Sequence, residues 1–189
     1  IHGRAAHSGV EPEKGRSATL EAAHKTVALH ALNGRWPGVT VNVGEIRGGT
    51  RPNIVAEEAV LTIDLRAATR REQHEAEAAI MRILQSSTVP EVSTDVEKHA
   101  DWHPMERTAD SARLVEAAKA IAGTLGFDLA DAHTGGGSDA NTTAGLGVPS
   151  LDGLGPVGGN DHTPSEYIEK SSIVPRTTLL AALVLSVGG

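Results

Sequence analysis

The chain has 189 residues, a formal net charge of −7 and no cysteine. The acidic balance argues against a nucleic-acid partner, because phosphate binding requires a basic face. Without cysteine, neither a disulfide nor a thiolate zinc site can form, so any metal must be held by His, Asp or Glu side chains. No apolar run is expected to reach transmembrane length, so we expect no membrane partner.

The first half of the chain predicts two amphipathic helices. Ser17 is a good N-cap for a helix that runs to about residue 33. Its apolar positions at helical spacing are Leu20, Ala23, Val27, Ala28 and Ala31. Thr69 and Glu72 form a capping-box pattern that begins a second helix. The inward positions of this second helix are Ala76, Ala79, Ile80, Ile83 and Leu84.

Strands are predicted around these helices, since residues 39–46 and 59–67 alternate between apolar and polar side chains. In the second strand, the core face carries Leu61, Ile63 and Leu65, and the opposite face carries Thr62, Asp64 and Arg66. The opening residues and residues 91–99 also look like strands. The order strand, helix, strand, strand, helix, strand predicts an α+β domain, with two helices on one face of an antiparallel four-stranded sheet.

The second half has a different character, and we place a domain boundary near residue 100. Residues 110–126 predict a helix with Gly126 as its C-cap. Short strands are expected just before residues 134–140 and within residues 148–155. A closing helix starts near residue 171, with Pro175 near its first turn and Gly188 after its end. Alternating strands and helices suggest part of an α/β layer.

Several side chains could carry chemistry, and each has a plainer alternative. His162 lies in a glycine-rich loop between Asp161 and Glu166, where it is either a zinc ligand or a surface histidine. The glycines that end at Gly137 could face an anion or simply form a tight turn before a helix capped by Ser138 or Asp139.

Three candidate residues lie in the first half. Asn53 ends a glycine-rich stretch that either grips a substrate or connects a hairpin. Arg66, two residues after Asp64, either binds a carboxylate or forms a surface ion pair. His7 stands among the small residues Ala5, Ala6, Ser8 and Gly9, which leave its imidazole open to an approaching group.

Four segments together resemble one family: residues 3–18, 48–66, 134–155 and 161–176. They are similar to the zinc metallopeptidases that include glutamate carboxypeptidase, aminoacylase, acetylornithine deacetylase and succinyl-diaminopimelate desuccinylase, and nearest to the glutamate carboxypeptidase branch. The resemblance implies a ferredoxin-like lid and dimerisation domain over residues 1–99. Residues 100–189 would then be the C-terminal part of an α/β catalytic domain that binds two zinc ions per subunit.

The resemblance also implies roles for individual residues. His162 falls on a zinc-ligand histidine. His7 falls on a lid histidine that reaches into the partner subunit's active site and polarises the scissile carbonyl, and Asn53 falls on the asparagine that assists it. Arg66 falls on an arginine that binds the substrate carboxylate. Gly137 falls on a glycine whose backbone touches the substrate.

The family's other zinc ligands and its general-base glutamate lie upstream of the lid, where this chain begins. We therefore expect a fragment of a homodimeric dizinc peptidase that hydrolyses an amide bond beside a free carboxylate, in a small peptide or N-acyl amino acid. The fragment alone should lack hydrolase activity and full zinc binding. The alternatives are a non-catalytic dimerisation module and a parent that is an N-acyl amino acid deacylase or amidase. The N-terminus does not assign a compartment, and the cytoplasm is the default expectation.

Overall fold

The structure is a computed structural model that describes residues 1–99 and 102–187. The chain forms two compact units, Ile1–Pro104 and Met105–Gly189. The predicted boundary near residue 100 falls on residues 100 and 101, which lie outside the described residues. The first unit contains a 3-10 turn at Pro12–Lys14, α1 at Ala18–His30, β1 at Thr40–Gly48, β2 at Ala59–Arg66 and α2 at Arg70–Gln85.

The first unit is a mixed α/β fold, as predicted, but its sheet is smaller than expected. β1 and β2 form an antiparallel hairpin with a bulge between Val43 and Glu45. The other two expected strands contribute isolated bridges, in which His2 pairs with both Glu58 and Ser93. The predicted strand at residues 91–99 is therefore wrong. Of its apolar side chains, Val92 is buried and Val96 is 46% exposed, so the segment lacks the alternation that keeps a strand on a core.

The core of this unit lies between the hairpin and the two helices. The predicted inward face of α2 is confirmed, since Ala76, Ala79, Ile80 and Leu84 are buried. Thr69 caps α2 as predicted and accepts a hydrogen bond from the Glu72 amide at 3.2 Å, but the Glu72 carboxylate accepts from the Thr69 hydroxyl, at 2.9 Å, rather than from its backbone amide as a capping box requires. The buried residues of this core are Leu29, Leu32, Val39, Val41, Ala76, Ala79, Ile80 and Leu84.

The predicted apolar face of α1 is wrong, because it points outward. Leu20 is 51% exposed and Val27 is 73% exposed. The buried face of α1 instead carries Ala18, Glu21, Ala22, Lys25 and Leu29. Two oppositely charged side chains therefore occupy positions that an amphipathic helix normally gives to apolar residues.

Glu21 and Lys25 are buried because backbone groups surround them. Lys25 Nζ lies 3.1 Å from Glu21 Oε1. The same ammonium group donates to the carbonyls of Ile83, at 3.0 Å, and Leu84, at 2.9 Å, and also to that of Ser86. It thus binds carbonyls that the end of α2 leaves without helical partners.

The Glu21 carboxylate binds the residues that follow α2. It accepts hydrogen bonds from the amides of Thr88, at 2.9 Å, and Val89, at 2.7 Å. Burial on its own raises the pKa of Glu21, but the amide hydrogen bonds and the Lys25 ammonium outweigh burial, so its pKa lies below the ordinary 4.5. The stability that Glu21 contributes is thus present above that ordinary value and is lost as the pH falls through the lower folded-state pKa.

The second unit packs two helices against each other. It contains α3 at Ala109–Thr124, α4 at Ala140–Gly145, β3 at Gly158–Gly159, β4 at Tyr167–Ile168 and α5 at Lys170–Val187. Its core joins α3 to α5 through Ala118, Ala122, Leu179 and Leu183.

Strand formation in the second unit differs from the prediction. The strands expected before residue 134 and within residues 148–155 are absent from the described residues, and β3 and β4 pair over two residues each. Pro175 is the sixth residue of α5 rather than part of its first turn. Gly188, the expected stop, lies outside the described residues.

The closing helix α5 is long and apolar enough to span a membrane by length and composition, so the expectation that no segment reaches this length is wrong. The core helix of a soluble protein passes the same test. Leu179 and Leu183 of α5 are buried against α3, whereas Val184 and Leu185 are 59% and 83% exposed. One narrow face of this apolar helix is thus packed, and most of its residues are exposed.

Replacing Lys25 with methionine should lower the free energy of unfolding of the first unit by about 3–5 kcal/mol, because it leaves a charged Glu21 buried without its cation. The chain's two tryptophans, Trp36 and Trp102, both lie in the first unit. Tryptophan fluorescence during urea unfolding therefore reports on this unit.

Lys14→Met is the matched control, since Lys14 pairs with Glu11 at the exposed surface and such pairs contribute about 1 kcal/mol at most. Equal decreases in the free energy of unfolding of Lys25→Met and Lys14→Met would contradict a special role of the buried pair in stability.

Candidate functional site

His7 is held in place by backbone hydrogen bonds on both sides. The Ser8 amide donates to the Asn53 carbonyl at 3.0 Å, and the Val55 amide donates to the Ala6 carbonyl at 2.9 Å. His7 thus lies opposite Ile54 in an antiparallel bridge. This pairing joins two segments that the sequence separates by more than 40 residues.

A tight turn follows His7 and orients its ring. The His7 carbonyl accepts from the amides of Val10, at 3.3 Å, and Glu11, at 3.2 Å. The Gly9 amide donates to His7 Nδ1 at 3.2 Å. The side chain is exposed, and among the described residues its Nε2 atom has no hydrogen-bond partner. The ring therefore presents Nε2 to solvent.

Asn53 lies in the loop that connects β1 to β2, so the hairpin reading of this glycine-rich stretch is confirmed. The Ile54 amide donates to the Arg51 carbonyl at 3.2 Å and closes a turn around Asn53. Asn53 is exposed, and its backbone carbonyl is the acceptor that holds Ser8. His7 and Asn53 are thus brought together. An open cleft of about 250 Å³ adjoins them, lined by Gly48, Gly49, Thr50, residues 54–59 and others.

Arg66 is not brought near this pair. It ends β2, whereas the loop with Asn53 precedes the start of that strand at Ala59. At about 3.3 Å per residue, β2 separates Arg66 from the loop by about 23 Å. Arg66 Nε donates to Asp64 Oδ2 at 2.8 Å on the open face of the hairpin. The surface ion pair considered as an alternative is therefore present.

A second charged cluster secures the segment that carries His7. Arg4 and Arg16 pair through their backbones, and both guanidinium groups bind Glu91, with Arg16 Nη2 at 2.5 Å from Glu91 Oε1. The hydrogen bonds from Arg16 and Arg4 hold the pKa of the Glu91 carboxyl below its usual value. Sequence reasoning missed this cluster, because Glu91 lies 75 residues from Arg16 and 87 from Arg4.

In the second unit, Gly137 lies in an exposed loop just before α4. The Ser138 hydroxyl accepts from the Ala140 amide at 3.2 Å, whereas Asp139 makes no side-chain cap. Of the two predicted caps, Ser138 is therefore the one that bonds the start of α4. The Gly136 amide donates to the Thr134 hydroxyl at 3.4 Å.

His162 lies in an exposed turn with a left-handed backbone, at φ 63°, and Asn160 is left-handed too, at φ 60°. Such conformations are uncommon in residues other than glycine, and they cluster at functional sites. Glu166 accepts from the His162 backbone amide at 3.4 Å, so this carboxylate contacts the backbone and not the imidazole. Within residues 1–99 and 102–187, no group of three His, Asp or Glu side chains is placed to hold a metal.

Comparisons with known proteins relate this chain to peptidases. A family model described as the M20 peptidase dimerisation domain matches residues 1–101. YqjE of Bacillus subtilis (strain 168) is 31% identical over 97% of this chain and 49% of its own length. Carboxypeptidase G2 of Pseudomonas sp. (strain RS-16) is 28% identical over 100% of this chain and 46% of its own length.

A solved structure shows the same fold. The aminopeptidase PepT from Bacillus cereus ATCC 10987 superimposes with a TM-score of 0.77 and 30% identity, over 100% of this chain and 50% of that one. The chain therefore spans about half the length of the curated relatives it matches. It belongs to the M20 metallopeptidase family, and residues 1–101 carry the family's peptidase dimerisation domain.

Proposed function

We propose that this chain is part of a metal-dependent amide hydrolase similar to glutamate carboxypeptidase, which cleaves an amide bond beside a free carboxylate. The observation that carries the proposal is the His7 and Asn53 pair, which is fixed by backbone bonds and presents Nε2 to solvent. The similarity to carboxypeptidase G2 supports this reaction class.

The chain's own residues would bind the substrate and stabilise charge. A proton on His7 Nε2 donates to the scissile carbonyl oxygen, and this hydrogen bond strengthens as negative charge develops there. Asn53 assists from the adjoining turn. Arg66 binds the substrate carboxylate through its guanidinium group, and the Gly137 backbone contacts the substrate.

The distance within the hairpin supports action across a dimer. His7 and Asn53 lie at one end of β2 and Arg66 at the other, about 23 Å apart, which is too far for one small substrate to contact both ends. We infer that His7 and Asn53 complete the active site of the partner subunit, while Arg66 serves a different site.

M20 peptidases generally depend on a metal, but the described residues do not form a metal site. His162 is one candidate ligand, and one imidazole cannot hold two zinc ions. The remaining ligands of a dizinc site would come from polypeptide outside these 189 residues. The chain alone should therefore be inactive.

Residues 1–99 would form the lid and dimerisation domain, and residues 100–189 the C-terminal part of a catalytic domain completed by that other polypeptide. The exposed apolar residues of α5 support this division, because exposed apolar faces of this kind mark contact surfaces. The exposed apolar residues of α5 are Ile173, Val174, Leu180, Val184, Leu185 and Val187. The relatives, about twice as long, have enough additional chain to cover them.

The dimerisation domain indicates a homodimer, and we propose that α1 and the outer edge of β1 form its interface. The exposed stripe of α1 carries Leu20 and Val27, and Ile46 on β1 is 53% exposed. β1 is bonded to β2 on one side only. Its outer edge is blocked near its start, where Asn33 and His30 accept from the Val41 and Val43 amides. The part after the bulge is left to pair with another strand.

Val27→Glu should weaken the dimer of this 189-residue chain, raising its Kd at least about tenfold, because a carboxylate would be buried against the second copy without a partner. Light scattering during size-exclusion chromatography measures the shift from twice the chain mass of 19.6 kDa to that mass.

Val60→Glu is the control for that measurement. Val60 is similarly exposed, at 59%, but lies on the open face of β2. A wild-type chain that is monomeric, or a Val27→Glu variant that dimerises as well as Val60→Glu does, would contradict the proposed interface.

The complete polypeptide should hydrolyse the amide bond of N-acylglutamates, which lies beside a free carboxylate, and lose this activity when its metal is chelated. Arg66→Ala should raise KM for these substrates by about tenfold, since charge-assisted hydrogen bonds contribute about 1.5–3 kcal/mol, and should leave KM for analogues without the carboxylate unchanged. Steady-state kinetics on the substrate pair measures this difference.

Arg71→Ala is the matched control, because Arg71 is an exposed arginine of the same unit that pairs with Glu75 and does not line the cleft beside His7 and Asn53. Equal effects of Arg66→Ala on both substrates would count against carboxylate binding. Faster turnover of other N-acyl amino acids would instead identify a deacylase.

A further inference from the structure

We propose that the backbone amide of Gly9 is a positioning group that fixes the His7 imidazole as an Nε2–H donor. This inference rests on the proposed function of His7 and adds the group that orients it. The carrying observation is the hydrogen bond from the Gly9 amide to His7 Nδ1, at 3.2 Å.

The hydrogen bond selects one tautomer. A neutral imidazole carries its single proton on either Nδ1 or Nε2, and the other nitrogen accepts. An amide N–H can donate to Nδ1 only when Nδ1 carries no proton. The proton of neutral His7 is therefore on Nε2, the ring atom that has no partner among the described residues and faces solvent.

The backbone around His7 sets the position of the Gly9 amide. Ser8 is bonded to the Asn53 carbonyl at 3.0 Å, and Glu11 is bonded to the His7 carbonyl at 3.2 Å. The turn between these bonds directs the Gly9 N–H back at the ring. Asn53 thus has two roles. Its backbone carbonyl holds Ser8 and helps to orient His7, and its side chain belongs to the proposed site.

The role proposed for Gly9 depends on its backbone amide and does not require that the residue be a glycine. A Cβ added at Gly9 would meet His7 Cε1 at 3.8 Å and Nδ1 at 3.9 Å, which is ordinary contact. The backbone of Gly9 does not have a positive φ, so another residue can adopt its conformation. Gly9→Ala therefore keeps the N–H with little strain and should leave the orientation of His7 unchanged.

The fixed tautomer has a chemical consequence. With the proton on Nε2, the ring donates to a carbonyl oxygen that is becoming negative. With the proton on Nδ1, the ring would turn a lone pair toward that oxygen, and the interaction would be repulsive. A site that relies on His7 as a donor needs the first arrangement already present before substrate arrives.

Nitrogen NMR of the 189-residue chain tests the tautomer without any activity. Two-bond proton–nitrogen correlations at a pH where the histidines are neutral give the Nε2–H fraction of His7. The exposed His133 serves as internal reference. We expect a higher Nε2–H fraction at His7 than at His133, unchanged in Gly9→Ala. A His7 tautomer ratio equal to that of His133 would overturn the inference.

Two isosteric variants of the complete enzyme test the donor position. His7→Gln places an N–H near the position of Nε2, whereas His7→Asn places it near Nδ1. His7→Ala should lower kcat by a factor of about 10²–10³. His7→Asn should have a kcat similar to that of His7→Ala, and the kcat of His7→Gln should be at least about tenfold higher than that of either variant. Equal activity of the Gln and Asn variants, with the expected NMR result, would refute the proposed donor function of His7 while leaving the Gly9 contact intact.

Discussion

The buried ion pair of Glu21 and Lys25 is the interaction on which the first unit depends. It joins α1 to the carbonyls that end α2 and to the amides of Thr88 and Val89. The chain leads from there to Ser93, which bridges to His2, and the strand-like segment that begins at His2 ends at His7. The position of His7 is thus connected through these segments to the buried pair of charges. Apolar replacements of both charges would still leave four backbone groups without partners, since among the five that the charges bind the Ile83 carbonyl also accepts from the Ser86 hydroxyl.

The same pair explains why α1 exposes its apolar stripe. A helix has one face for the core, and in α1 that face is taken by Glu21 and Lys25 together with Ala18, Ala22 and Leu29. The remaining apolar residues therefore face outward, where they are available to another surface. Spacing alone could not reveal this reversal. The partners that make the two charges acceptable inside are backbone atoms 58 to 68 residues away.

The sequence pattern correctly predicted the features that depend on interactions between residues close together in the chain. The N-cap at Thr69, the inward face of α2 and the β1–β2 hairpin follow from short-range sequence and were predicted correctly. The motif resemblance placed His7 and Asn53 in one site, and the backbone bonds between residues 6–8 and 53–55 bring them together. The Gly9 contact was missed, although a histidine followed two residues later by glycine was visible as a signal.

Predictions failed where the deciding partner lies elsewhere. The strands expected in the second unit need neighbouring strands to satisfy their backbone groups, and the described part of this unit offers β3 and β4 alone. The exposed apolar face of α5 is likewise left without a partner among the described residues. The roles of Arg66, Gly137 and His162 rest on the resemblance. For two of these residues the structure gives a further observation: Arg66 pairs with Asp64, and His162 has a left-handed backbone.

The measurement that tests the cross-subunit site most directly is complementation in mixed dimers of the complete enzyme. One subunit carries His7→Ala and the other carries His162→Ala, and each homodimer is assayed beside the purified mixed dimer. If His7 serves the partner's active site, one site in the mixed dimer keeps both residues, and we expect about half of the wild-type activity. If His7 serves its own subunit, both sites are damaged, and a mixed dimer as inactive as the two homodimers would contradict the proposal.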